Sequence, residues 1–468
     1  MASGELAYLS ATAMIERFRS RELSPVEVTE AILARIGTFN PRLNAVVTRA
    51  PELALEQARA AERAYAGQGE PGPLAGVPFT IKDLTPTKGI RTARGSLIDP
   101  DWVPDADAPV VERLYEAGAV MLGKTNTPEL GWKGDSGNRV FGPTHNPWRH
   151  GRTAGGSSGG AAAAVAVGFG PLAQGSDGAG SIRIPASFCG IFGHKPSFGL
   201  VPQYPASAVG DISHLGPMTR TVGDAALMLN VIAGGDARDR FSWTSGVDYA
   251  AALGDGIQGL RVAWSPDLGY ARVEPEVRDA TAAAARRFEE LGCRVEEVSP
   301  DLPNPQEIIS KLWASAMAGY FEGRLDTVRD LIDPGLLEVV EHGQTISAAE
   351  LMAAQGRRNT YCTGMVRFMA DYDLLLTPTL PSTAFTAGAD APDTDRDPDV
   401  PIDWTPFTYP FNLTGQPAAT VPCGFSREGL PIGLQIVGRW KRDSTVLQAA
   451  AAFETIAPWA ELMPALSA

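Results

Sequence analysis

Gly155-Gly156-Ser157-Ser158-Gly159-Gly160, the run Ala161 to Val167, and Gly175-Ser176-Asp177-Gly178-Ala179-Gly180-Ser181 lie close together in one stretch of the chain. Glycine, serine and alanine dominate it, which is the composition of a flexible linker. A linker stays polar and structureless, whereas Ala161 to Val167 is a helix-forming run held between two glycine clusters. The stretch therefore reads as two site-building loops around a buried helix.

Upstream, Val77-Pro78-Phe79-Thr80-Ile81 is a β-type run that leads into Lys82-Asp83. Ser24-Pro25-Val26-Glu27 reads as N-cap, first-turn proline and capping-box glutamate, opening a helix that Gly37 closes. Pro51 to Ala66 is a second helix, with Ala54, Ala58 and Ala61 as its packing face. Downstream, Asp224 to Ala233 is helical, and the polar, glycine-rich stretch Gly234 to Gly256 marks a boundary between subregions. Val262-Ala263-Trp264, Val295 to Val298 and Leu374-Leu375-Leu376 read as strands with helical segments between them. Strands alternating with helices indicate a layered α/β architecture whose sheet continues through the chain. No internal repeat is present at solenoid periods.

The 468 residues are 44% hydrophobic and 20% charged, enough apolar content for a large core. A formal net charge of -14 repels phosphate backbones and excludes nucleic acid as a partner. The longest apolar stretch, Ala161 to Ala173, is too short to span a bilayer, so no membrane association is expected. Glu5 interrupts the N-terminus before any apolar signal region can form. Cys189, Cys293, Cys362 and Cys423 are scattered without a C-x-x-C pair, as free thiols are. These features together predict a cytoplasmic protein.

Several motif matches fail on context. Gly118-Ala119-Val120-Met121-Leu122-Gly123-Lys124-Thr125 has P-loop spacing, but Ala119 to Leu122 is itself the apolar strand and Pro128 blocks the helix that should follow. Asp393, Asp395, Asp397 and Asp399 alternate like a calcium loop, yet Pro398 occupies the glycine position and Trp404 the closing glutamate. His145, His150, His194, His214 and His342 show no metal-ligand spacing, and neither metal nor cofactor is implied. Gly155-Gly156-Ser157-Ser158-Gly159 satisfies the nucleophile-elbow pattern of α/β-hydrolases, with His214 or His342 as the base of such an esterase. It lacks the β-branched strand that should precede the elbow.

Lys82-Asp83, Gly155 to Gly160 and Gly175 to Ser181 together resemble the three landmarks of the amidase signature family. Thr144 to Trp148, Ile182 to Ala186, Gly216 to Arg220, Asn412 to Ala418 and Gly429 to Gln435 extend the resemblance over most of the chain. The part from about 234 to 400 is less family-like. The resemblance implies one domain over residues 1–468, with a single large mixed β-sheet covered by helices on both faces. It implies Ser181 as nucleophile, Ser157 as proton relay and Lys82 as base, a variant of triad logic that needs no histidine. It also implies a cis Gly156–Ser157 peptide. The N–H groups of Gly178, Ala179, Gly180 and Ser181 form the expected oxyanion hole. Ala179 stands where the family commonly has glycine, and Ala154 replaces its usual proline. Asp177 and Arg183, flanking the nucleophile, are expected to pair and brace the loop.

A lysine of ordinary pKa, about 10.4, is charged at neutral pH, and holding it neutral at pH 7 corresponds to roughly 4–5 kcal/mol. Burial behind Val77, Phe79 and Ile81 is the expected cause. Trp132, Phe141, Trp404 and Phe407 are the candidate apolar walls for an aryl or hydrophobic amide, and a carbamate or an ester suits the same acyl transfer. The expected protein is a free-standing monomer or homo-oligomer acting on a small molecule. A glutaminase-type component of a transamidation complex is the alternative.

Overall fold

In the computed structural model, which describes residues 3–392 and 404–466, the expected strands join into one sheet. The strands in chain order are β1 (Val46–Arg49), β2 (Pro78–Lys82), β3 (Val120–Thr125), β4 (Leu172–Asp177), β5 (Phe192–Lys195) and β6 (His214–Thr219). They are followed by β7 (Arg261–Trp264), β8 (Arg294–Glu297), β9 (Leu374–Pro378), β10 (Ala418–Phe425) and β11 (Pro431–Gly438). The described residues order them as β1-β3-β2-β4-β6-β5-β10-β11-β9-β7-β8. β2 runs parallel to β3 and β4, and β7 runs parallel to β8 and β9. The strands between these two patches pair antiparallel, so the sheet is mixed.

Both faces of the sheet are covered, which is why inner strands such as β2, β5 and β6 are buried at every position rather than at alternate ones. Leu374 and Leu376 of β9 pack into one core cluster with the helices Val222–Ile232 and Asp443–Ile456. Leu375 points the other way, into a cluster built with the helices Gln306–Tyr320 and Pro334–Thr345. The alanine run becomes the helix Gly159–Ala166, every residue of which is buried. It packs so closely that a Cβ on Gly160 would lie 2.3 Å from the Asn126 amide nitrogen and 2.6 Å from the Ala45 carbonyl oxygen.

Two local expectations differ. The helix opened by Ser24 runs on through Gly37 to Leu43 and ends at Asn44, whose φ of 55° makes a left-handed cap. Val28, Ile32, Ile36 and Leu43 keep their buried spacing across Gly37, and that burial outweighs the glycine penalty. The Ser24 side chain accepts from Val26 N, while its hydroxyl bonds Glu62 instead of completing a box with Glu27.

The P-loop lookalike is a fully buried strand, and Lys124 Nζ donates to Thr85 O, Thr87 Oγ1 and Thr92 Oγ1. The aspartates Asp393 to Asp399 lie outside the described residues. Among the described residues no group of three His, Cys, Asp or Glu is placed to hold a metal ion. No described helix is long and apolar enough to cross a membrane.

Candidate active site

β2 and β4 are parallel neighbours with Ile81 opposite Gln174, so Lys82 and the residues from Gly175 onward emerge at the same, carboxyl end of the sheet. Open α/β sheets place their ligands at this end. The turn after β4 leads from Gly178 to Ser181 and into the helix Arg183–Cys189. The Gly155 to Gly160 loop is fastened beside it by Ser158 N, which donates to Ser181 O at 3.1 Å. Ser136 Oγ donates to Ser157 O and accepts from Gly159 N. The Gly156–Ser157 peptide is cis.

Lys82 is fully buried. Its Nζ lies 2.6 Å from Ser157 Oγ and 2.9 Å from each of Ser158 Oγ and Ser176 Oγ. Burial drives its pKa well below the ordinary lysine range, against an opposing pull from the Asp177 charge. The hydrogens can be assigned from the neighbours. Ser158 donates its own hydroxyl hydrogen to Ser176 O, so it accepts from the amine. A neutral amine with its second hydrogen on Ser176 has its lone pair left for the Ser157 hydroxyl. That arrangement lets Lys82 take a proton from Ser157.

Asp177 and Arg183 form the expected pair, at 2.9 Å, with both side chains fully buried. Burial alone would push the Asp177 carboxyl up, but the Arg183 charge, with Lys195 and Asn412, holds it far below the carboxylate range. Arg183 also donates to Thr408 O, Gln435 Oε1 and Asn412 Oδ1, so its charge is fully met. Asp177 Oδ1 accepts the Gly180 N–H at 2.7 Å. This removes Gly180 from the four expected oxyanion donors and leaves Gly178, Ala179 and Ser181. Ala179 is not among the positive-φ residues, whereas Gly180 has φ 129°, so the strained position of the turn is Gly180.

Two cavities meet at Ser181. The larger, about 230 Å³, is lined by Ser157, Ser181 and Gly178 together with apolar groups including Leu130, Met317 and Trp102. The smaller, about 20 Å³, is walled by Trp132, Trp313 and Trp404. Of the four aromatic candidates, Trp132 and Trp404 reach the site. Phe141 instead lies against the Arg91 guanidinium at 5.1 Å, and Phe407 is fully buried in the core. Neither lines these cavities. Trp313, from the helix Gln306–Tyr320, was not singled out from the sequence. Ser158 and Ser176 were visible inside the motifs, but their grip on Lys82 needed coordinates.

No histidine lines either cavity among the described residues. His214 is buried with Nδ1 between the carbonyl oxygens of Asp177 and Ile212, and His342 sits in the helix Pro334–Thr345. No strand leads into Ser157 to make an elbow.

A family model described as Amidase matches residues 27–447. The chain is 43% identical to an acylamidase of Rhodococcus erythropolis, over 99% of both sequences. It is 41% identical to a glutamyl-tRNA(Gln) amidotransferase subunit of Moorella thermoacetica, over 96% of this chain and 97% of that one. The crystal structure of a bacterial aryl acylamidase of the amidase signature family superposes with a TM-score of 0.90 at 35% identity, covering 97% of each chain. With this fold, these loops and these relatives, the chain belongs to the amidase signature family and is an amidase acting on carbon–nitrogen bonds other than peptide bonds.

Proposed function

We propose that Ser181 is the acylated nucleophile, Ser157 the proton relay and Lys82 the base, acting on amides that join an acyl group to an aromatic or apolar amine. The observation carrying this reading is the buried contact of 2.6 Å between Lys82 Nζ and Ser157 Oγ. Ser181 Oγ attacks the carbonyl carbon as its proton passes to Ser157 and the Ser157 proton passes to Lys82. The N–H groups of Gly178, Ala179 and Ser181 are the donors for the oxyanion. As the carbon–nitrogen bond breaks, Ser157 returns a proton to the amine, and water then releases the acyl group by the reverse relay. Carbamates carry the same carbonyl chemistry and belong to the proposed range.

A fluorophosphonate is expected to add its mass to the peptide containing Ser181. Labelling of Ser157 with Ser181 untouched would overturn the assignment.

The amidotransferase relatives favour a second reading, a glutaminase that passes ammonia to a partner. Free glutamine carries both charges at its α-carbon. Arg94 is the one charged residue among those lining the larger cavity, and it is already paired with Asp99. This supports the free-standing amidase. We further propose a single unit over residues 1–468, a monomer or homo-oligomer, in the cytoplasm, where its free cysteines persist. Size-exclusion chromatography separates the readings, since a co-purifying partner protein is expected only for the glutaminase.

A further inference from the structure

Gly131, Ser181 and Trp313 border both cavities, whereas Ser157 borders only the larger one. This asymmetry bears on the substrate once the relay through Ser157 is taken as the mechanism, and the inference rests on that reading. When the tetrahedral adduct on Ser181 collapses, the carbon–nitrogen bond breaks and its electron pair stays on nitrogen. That nitrogen takes the proton from Ser157 Oγ, so it must lie within hydrogen-bond reach of Ser157. The leaving amine therefore occupies the larger cavity. The remaining carbon substituent, the acyl chain, is left the space on the other side of Ser181.

That space is small. A single water-sized group needs roughly 10–15 Å³ of such volume, and the cavity offers about 20 Å³. Its walls cannot retreat easily. Trp404 is stacked on Phe188 and meets Phe385 edge-on. A Cβ on Gly134 would lie 2.3 Å from its ring, so the backbone already presses on the indole. Trp132 is held in the same way against Gly335, 2.4 Å from a Cβ there. Ile184, from the helix after Ser181, is buried and lines the same cavity. The larger cavity, at about 230 Å³, has room for a ring and is lined by Leu84, Leu130, Tyr204, Met317 and Tyr320.

We infer that this enzyme selects short acyl groups, formyl or acetyl, on bulky aromatic or apolar amines, with Trp132, Trp313, Trp404 and Ile184 setting the acyl limit. The discrimination lies on the acyl side, and the amine side is permissive.

The test is a matrix of anilides. One series holds 4-nitroaniline and lengthens the acyl group through formyl, acetyl, propionyl, butyryl and hexanoyl. The other holds acetyl and enlarges the amine from aniline to naphthylamine. In the first series kcat/KM is expected to fall roughly 10–200-fold for the first methylene that no longer fits, while the second stays within about tenfold. Ile184→Ala and Trp404→Leu are each expected to raise hexanoyl over acetyl, and either variant suffices if the other does not fold. Equal turnover of acetyl and hexanoyl by the wild type, or a steep loss along the amine series, would overturn the acyl limit and leave the serine mechanism standing. No turnover of any anilide, with Ser181 unlabelled by a fluorophosphonate, would overturn the mechanism itself.

Discussion

An ammonium on Lys82 can place its three hydrogens on Ser157, Ser158 and Ser176, and a neutral amine can place two and accept one, so both protonation states find partners. Burial decides which state prevails at rest, and it favours the neutral one. Only that form accepts a proton, so kcat/KM is expected to rise with pH through the lowered Lys82 value and to level off short of the ordinary lysine range near about 10.4. A pH–rate profile on a 4-nitroanilide checks it. Stability has the matching sign. Between the two values the unfolded chain binds one proton more than the folded one, so the Lys82 contribution is least favourable in acid and improves as pH rises. Lys82→Ala is expected to lower kcat by about 10²–10⁴-fold with the fold retained by circular dichroism. Near wild-type turnover would return attention to another base. Lys82, Ser157 and Ser181 could be picked out as candidates before any coordinates, because the two serines sit in short glycine-marked loops and the lysine ends an apolar strand. The walls around them were not. Trp132 and Phe141 looked alike in sequence, as did Trp404 and Phe407, because cavity and core draw on the same aromatic types and only tertiary packing sorts them.

At the scale of elements, the helix Gly159–Ala166 shows why the glycine and alanine run is not a linker. It threads between β3 and the Ala45 segment with room for hydrogen but not for methyl at Gly160. The obstructing atoms belong to backbone and cannot rotate away. Gly160→Ala is therefore expected to destabilise the protein by about 1–3 kcal/mol or more, measured by urea denaturation, although alanine is the better helix former. An unchanged midpoint would contradict the close approach. The buried helix and the main strands could be read from pattern, since run length and apolar content carry them. The end of the first long helix could not. Gly37 offered a local stop signal, and buried residues on both sides of it carried the helix on to Asn44.

For the molecule as a whole, the long-range bond is the one from Asn412 to the loop around Asp177. Asn412 Nδ2 donates to Asp177 O and Oδ1, and its Oδ1 accepts from Arg183. Asn412→Ala leaves buried charged groups short of partners, with an expected loss of about 2–3 kcal/mol and of most activity. Thermal unfolding and the anilide assay together check it. The layered α/β class was visible in the alternation of strands and helices, but the strand order was not, because pairings such as β5 with β10 join segments far apart in sequence. That distance carries a consequence for the newborn chain. Lys82, Ser157 and Ser181 are all synthesised early, yet the Arg183 clamp beside them is completed by Thr408, Asn412 and Gln435. A ribosome must deliver Gln435 before this clamp can close. A chain terminated before Thr408 would carry Lys82, Ser157 and Ser181 without the residues that complete the clamp, and it is expected to be inactive in the anilide assay.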